Sequence, residues 1–215
     1  MKAIQPIRNL FTLAAVVGFI TGCASDNYNK SARTAATLSQ SSGMITKGTT
    51  LIDESLADLN DLVSNPHPDL RKQFEKFNNA VDELGVSEKD IASKAGEMKS
   101  QGAEYFAGWD KESAQIQNED IRSRSESRRN EVASRFDRIS LQYDQTKAAF
   151  RPFMSDLRDV QKFLSTDLTA GGLAAIKDTA AKATKDAVPV KKSLDRLSDD
   201  FKSLGLSMSP TTASR

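Results

Sequence analysis

Between Val132 and Leu164 large side chains recur at alternating steps of three and four residues: Val132, Phe136, Ile139, Tyr143, Thr146, Phe150, Phe153, Leu157, Val160 and Leu164. Nine of those ten positions are apolar or aromatic, so they form one stripe down a helix and commit it to packing against another helix. A second set of the same period follows the turn Thr169-Ala170-Gly171-Gly172: Leu173, Ile176, Ala180, Ala183, Ala187, Val190, Leu194, Leu197, Phe201 and Leu204. Laid antiparallel around that turn, Phe153 and Phe150 fall opposite Ala183 and Ala187, Tyr143 meets Leu194, and Phe136 meets Phe201. Large rings then lie over small residues, as close packing requires. Pro152 and Pro189 fall within about one turn of the same height, so the bends they impose are shared. No run of alternating β-branched residues occurs. The expected fold is all-α, an elongated antiparallel helical bundle or coiled-coil hairpin with no β-sheet.

The N-terminal half carries shorter stripes. Ile45, Ile52, Leu56, Leu59 and Val63 predict a helix over 44–64, stopped by Asn65-Pro66-His67-Pro68. Leu70, Phe74, Phe77, Val81 and Leu84 predict a second over 69–84, folded back on the first. Gly85-Val86 reads as a break, with Ser87 the cap of a third helix. Between Gly108 and Pro152 there is neither Gly nor Pro, so this helix is expected to run over 88–166, on the order of 115 Å long. The first two helices are too short to cover it, which leaves an apolar face for self-association. The last helix is expected over 172–204, closed by Lys202 and Gly205, with 206–215 a disordered tail. The Ser-, Thr-, Asn- and Ala-rich start, 23–43, reads as a flexible tether.

Composition excludes several functions. The 30 Lys and Arg nearly balance 29 Asp and Glu, which argues against a protein that holds nucleic acid by charge. One His and one Cys leave almost nothing from which to build a metal site or a thiol enzyme. His67, between two prolines, reads as a turn residue rather than a catalytic base. There is no nucleophile elbow and no phosphate-cradling glycine loop. The expectation is a non-enzymatic chain without cofactor or metal.

Lys2 and Arg8 precede an apolar run from Leu10 to Ile20. Residues 1–22 therefore read as a secretory signal, with an apolar run too short to span a bilayer as a helix. Ile20-Thr21-Gly22-Cys23 resembles the lipobox of bacterial lipoproteins. That resemblance implies acylation of Cys23 as the first mature residue, and Ala24 in place of Asp implies sorting to the outer membrane of a two-membrane host. Two or three acyl chains make such an anchor effectively permanent. Loss of Lys2 and Arg8 leaves 28 basic against 29 acidic side chains, so charge adds nothing to the anchor.

Two features compete for a role as a partner or ligand surface. Tyr105, Phe106 and Trp109 form the densest aromatic cluster, flanked by Gly102 and Gly108. Such a cluster either anchors a helical core or docks a partner or apolar ligand. Residues 117–131 contain Arg122, Arg124, Arg128 and Arg129 with only Ile121 as a large apolar residue. They read either as a recognition surface or as a solvated helix face held by pairs such as Asp120 with Arg124 and Glu131 with Arg135.

Cys23 together with Gly102-Ala103-Glu104-Tyr105-Phe106-Ala107-Gly108-Trp109-Asp110 and Phe150-Arg151-Pro152-Phe153-Met154 resembles an uncharacterised family of bacterial lipoproteins with long helical mature regions. The resemblance implies an address and a fold, and carries no activity. The function expected is a lipid-anchored helical spacer or interaction scaffold on the periplasmic face of the outer membrane, with a protein partner or a second copy of itself. The alternative is a carrier or sensor that binds an apolar ligand between helices near Tyr105 to Trp109.

Overall fold

The computed structural model describes residues 24–209. The expected signal peptide (1–22), Cys23 and residues 210–215 of the expected tail lie outside the described residues. Four helices make up nearly all of the rest: α1 Ala24–Ser64, α2 Arg71–Ser113, α3 Glu119–Thr166 and α4 Ala170–Met208. No strand occurs among the described residues. Nor is any of these helices long and apolar enough to cross a membrane.

The helices form a closed ring in which α1 packs between α2 and α4, and α3 completes the circuit on the opposite side. All four seams are antiparallel. Along α1 and α2, Thr37 Oγ1 donates to Gln101 Oε1 at 2.8 Å, while Gln73 Nε2 reaches Asp61 Oδ2 at 2.7 Å. Along α1 and α4, the Ser42 and Ser198 hydroxyls meet at 2.9 Å, and Lys191 pairs with Asp53. Lys99 to Asp144 at 3.2 Å and Gln161 to Asn78 at 2.7 Å join α2 to α3. Lys182 to Asp156 at 2.6 Å and Arg135 to Ser203 at 3.0 Å join α3 to α4. Those last two pairs lie within one residue of the register in which Phe150 faces Ala187, so the seam read from the two long stripes is the seam that forms.

The stripes supply one continuous core. Phe77, Phe153, Phe201, Leu38, Ile45, Leu62, Met98, Met154 and Leu157 are essentially inaccessible, and each contributes about 1.5–3 kcal/mol through burial. Phe150, Ala183 and Ala187 are buried in the same cluster.

Helix boundaries differ from the sequence reading at four places, one of them the end of α4, which does not close at Gly205 but continues to Met208 because Met208 is buried in the core. The expected tether is helix from Ala24 onward, because Thr34, Ala35, Thr37 and Leu38 are buried and the small polar residues satisfy themselves within the helix. Thr34 Oγ1 donates to Lys30 O at 2.9 Å and Ser41 Oγ to Thr37 O at 2.8 Å. The expected break at Gly85-Val86 does not form. Gly85 lies inside α2 and lets Met154 and Arg158 of α3 come close, since an added Cβ would sit 3.2 Å from Arg158 Nη2. A glycine costs a helix only about 1 kcal/mol, less than the packing on either side supplies.

The expected rod over 88–166 is instead two helices with a reversal at 114–118. Asn118 caps α3 by accepting from the Ile121 N–H at 3.1 Å, with Glu119 and Asp120 in the first turn. Arg122 Nη1 then donates back to Ile116 O at 3.4 Å. With α1 and α2 at 41 and 43 residues, the stripe on α3 is covered rather than left for self-association. The 39- to 48-residue helices are about 60–70 Å long, not about 115 Å.

At the opposite end Gln73, almost wholly buried, organises the α1–α2 turn. Its amide donates to Asp61 Oδ2 and to Asn65 O at 3.0 Å, and its Oε1 accepts from the His67 N–H at 2.8 Å. Thr169 caps α4 through the Gly172 N–H at 3.2 Å.

Candidate functional site

The start of α1, the 114–118 reversal and the end of α4 share one end of the bundle: Ser31 Oγ donates to Met208 O at 2.7 Å, and Asn27 lies against Gly108. Both sequence candidates fall at this end. Tyr105 is buried; Phe106 and Trp109 are half-buried and pack on the core. Their rings form a chain across the α2–α3 seam, with Tyr105 5.4 Å from both Phe106 and Trp109 and Phe106 edge-on to Phe136 at 5.7 Å. The Trp109 indole N–H donates to Ser125 Oγ at 2.9 Å, and Ser125 meets Ser113 at 2.7 Å. Of the two readings of this cluster, the structure supports the core anchor.

A cleft of about 250 Å³, lined by Asn27, Tyr28, Ser31, Glu112, Ser113, Ile116 and Ser125, opens beside these rings. Its walls combine the Tyr28, Tyr105, Trp109 and Ile116 side chains with the Asn27 amide and the Ser31, Ser113 and Ser125 hydroxyls. Burial raises the Tyr105 phenol above its ordinary range, although a hydrogen bond with Ser31 opposes the shift.

The four arginines are each engaged. Arg124 pairs with Asp120 at 3.1 Å, Arg128 with Glu131 at 2.7 Å, and Arg122 with the Ile116 carbonyl. Arg129 grips both oxygens of Asp110 at 2.8 and 2.9 Å while its guanidinium lies 5.2 Å from the Phe106 ring. The Asp120–Arg124 pair forms as read from the sequence, whereas Glu131 chooses Arg128, and Arg135 reaches Ser203 instead. The Arg128 hydrogen bond holds the Glu131 carboxyl below its usual value. Arg129 clamps the two arms of the hairpin, while the other three stay with their own helix or the reversal. His67 is an exposed turn residue whose backbone N–H is bound by Gln73.

A second space, unforeseen in the sequence, lies at mid-height. It is a slot of about 50 Å³ lined by Gly48 and Ile52 of α1, Leu84, Ser87, Glu88, Ile91 and Ala92 of α2, Tyr143, Thr146, Lys147 and Phe150 of α3, and Leu194 and Leu197 of α4. Four helices contribute, so no local motif announces it; the one local trace is Gly48 in the middle of an apolar stripe. No group of three or more His, Cys, Asp or Glu able to hold a metal ion occurs among the described residues.

Residues 26–201 match the model of a family described as Protein of unknown function (DUF2959). The chain belongs to this family. The match spans α2, α3 and most of α1 and α4, so the Arg129 clamp and the mid-height slot lie within the DUF2959 region. No curated protein and no solved structure is significantly similar to the chain.

Proposed function

We propose that the chain is a lipid-anchored envelope protein, held by acylated Cys23 on the periplasmic face of the outer membrane, and that it acts as a non-enzymatic helical spacer or scaffold for a protein partner. The observation that carries this reading is that the chain is already helical at Ala24, the residue after the lipobox cysteine. An acyl anchor at Cys23 would join the bundle with no flexible link between them, so a surface about 60–70 Å long would be presented in a fixed relation to the membrane. In this reading the end carrying Trp109 and the 114–118 reversal faces the bilayer, and the Gln73 turn is displayed away from it. Tyr28, Ile121 and Leu206 are exposed toward the membrane-facing end, as side chains resting against lipid headgroups would be.

Palmitate labelling of growing cells tests the anchor: wild type should label and Cys23→Ala should not. Equal labelling removes the anchor from the proposal. Crosslinking in intact cells tests the scaffold, which requires the same protein adduct to recur from residues on the bundle surface. Absence of any protein adduct defeats it.

A further inference from the structure

Among the described residues, two prolines lie inside helices, Pro152 in α3 and Pro189 in α4, and they share a level of the bundle with Gly48 of α1 and Gly85 of α2. Neighbouring contacts close the circuit. A Cβ on Gly48 would meet Ser87 Oγ at 3.5 Å, beside Gly85, and a Cβ on Gly85 would meet Met154 Cε at 3.5 Å, beside Pro152. Phe150 and Ala187 are in register across the α3–α4 seam, and Lys191, just past Pro189, pairs with Asp53 of α1. The four positions therefore fall within about two turns of one another along the axis. Every helix is at its weakest near one height.

Bending meets little resistance there. A proline lacks the N–H that would bond the carbonyl four residues earlier, and its ring pushes that carbonyl away, so the helix opens on the proline's own side. Pro152 and Pro189 are exposed, as are Ala148 and Lys185, whose carbonyls lose the bond. Water can therefore satisfy both carbonyls as the helices open. At the same level the slot leaves about 50 Å³ unfilled between Ile52, Leu84, Ile91 and Phe150. Close-packed side chains transmit strain; these have room to shift. Gly48 and Gly85 add no side chain to the two helices on the side that such a bend compresses.

We propose that this level is a hinge. The bundle bends there, opening along the outer face of α3 and α4 and closing along α1 and α2, so that the half bearing the Gln73 turn swings relative to the half bearing Trp109. The hinge does not require acylation of Cys23. Where that anchor holds, the near half keeps its relation to the membrane and the far half moves.

Spin labels on the full chain in detergent, in a Cys23→Ser background, test the hinge by pulsed electron paramagnetic resonance. One pair sits on α1, Asn29→Cys with Ala57→Cys, and one on α3, Ser127→Cys with Lys162→Cys, all at exposed positions on either side of the hinge. A straight α1 sets its pair about 42 Å apart. A kink of about 20° shortens that distance by roughly 5 Å, because α1 lies on the inner side of the bend, and leaves the α3 pair no shorter. The wild type should show this short component on α1 alone. Pro152→Ala with Pro189→Ala should remove it, and should slow amide exchange at Phe153–Asp156 and Val190–Ser193 at least tenfold relative to Val132–Phe136. Gly96→Ala, which lies outside this level, should change neither reading. A single narrow α1 distance in the wild type overturns the hinge, as does a short component that survives loss of both prolines or that occurs equally in the α3 pair. If the proline double variant fails to fold, Gly48→Val, which fills the slot, should remove the short component in its place, and its persistence there overturns the hinge. None of these outcomes depends on palmitate labelling at Cys23, so the hinge and the anchored scaffold fail separately.

Discussion

The ring of Phe136 on α3 lies directly against the backbone of Gly102 on α2: a Cβ at Gly102 would fall 2.3 Å from Cζ and within 2.9 Å of two further ring atoms. Phe136 also receives the edge of Phe106, so this contact fixes the height at which the two arms of the hairpin meet. Gly102 is there for its missing side chain, not for an unusual backbone angle, since no residue described has positive φ.

Gly102→Ala should therefore destabilise the bundle although alanine is the better helix former. The propensity gain is about 1 kcal/mol, and overpacking a filled seam costs roughly 1–3 kcal/mol. Gly96 on the same helix has nothing within 4 Å of the added atom, so Gly96→Ala should stabilise by roughly 0.5–1 kcal/mol. Denaturant unfolding of the two variants checks both signs. A Gly102→Ala variant as stable as Gly96→Ala would mean that the ring does not sit where described.

Gln73 carries the α1–α2 turn through three hydrogen bonds from a nearly inaccessible position. Gln73→Ala leaves the His67 N–H, Asn65 O and Asp61 without this partner, and should cost about 1–3 kcal/mol. Amide exchange should rise first at Asn65–Leu70, ahead of the helices. Exchange rising first at 114–118 instead would show that the turn does not depend on this side chain.

The long stripes made the C-terminal half legible. Ten positions in phase on α3 and ten on α4 fix both faces, and ring size against alanine fixes the register. The reversal at 114–118 was harder to see, because it contains neither Gly nor Pro. Its signal is Asn118 followed by Glu119 and Asp120, a cap with two acids in the first turn and no helix breaker beside it. Gly85 misled for the converse reason: its role depends on Met154 and Arg158, distant in sequence. The candidate aromatics were found by composition, but their burial rests on Phe136 and on α1. Nothing local marks the slot, since its lining comes from four helices.

The register between α3 and α4 can be tested by exchanging volume across it. Ala187→Phe adds a ring where Phe150 already fills the space and should destabilise by roughly 1–3 kcal/mol. Phe150→Ala leaves a cavity and should cost about 3–5 kcal/mol. If the two positions face each other, the double variant should be more stable than the sum of the single losses predicts, by at least about 0.5 kcal/mol. Strict additivity in a double-mutant cycle would place the residues apart.

Two buried phenols should weaken the bundle at alkaline pH. Tyr105 and Tyr143 are each 8% exposed, and burial pushes both phenols above the ordinary tyrosine range, with Asp144 and Glu88 adding to the shift at Tyr143. With folded pKa values above the unfolded one, the native state keeps its phenolic protons where the unfolded chain has released them. Their contribution is fully present below the unfolded tyrosine pKa of about 10 and is lost as pH rises through the higher folded values. The denaturant midpoint of the wild type should therefore fall between about pH 9 and pH 11. In a Tyr105→Phe, Tyr143→Phe double variant, which has no phenol to ionise at either site, the fall should be shallower. Parallel curves for the two proteins would show that the phenols ionise without cost, and hence that they are not buried as described.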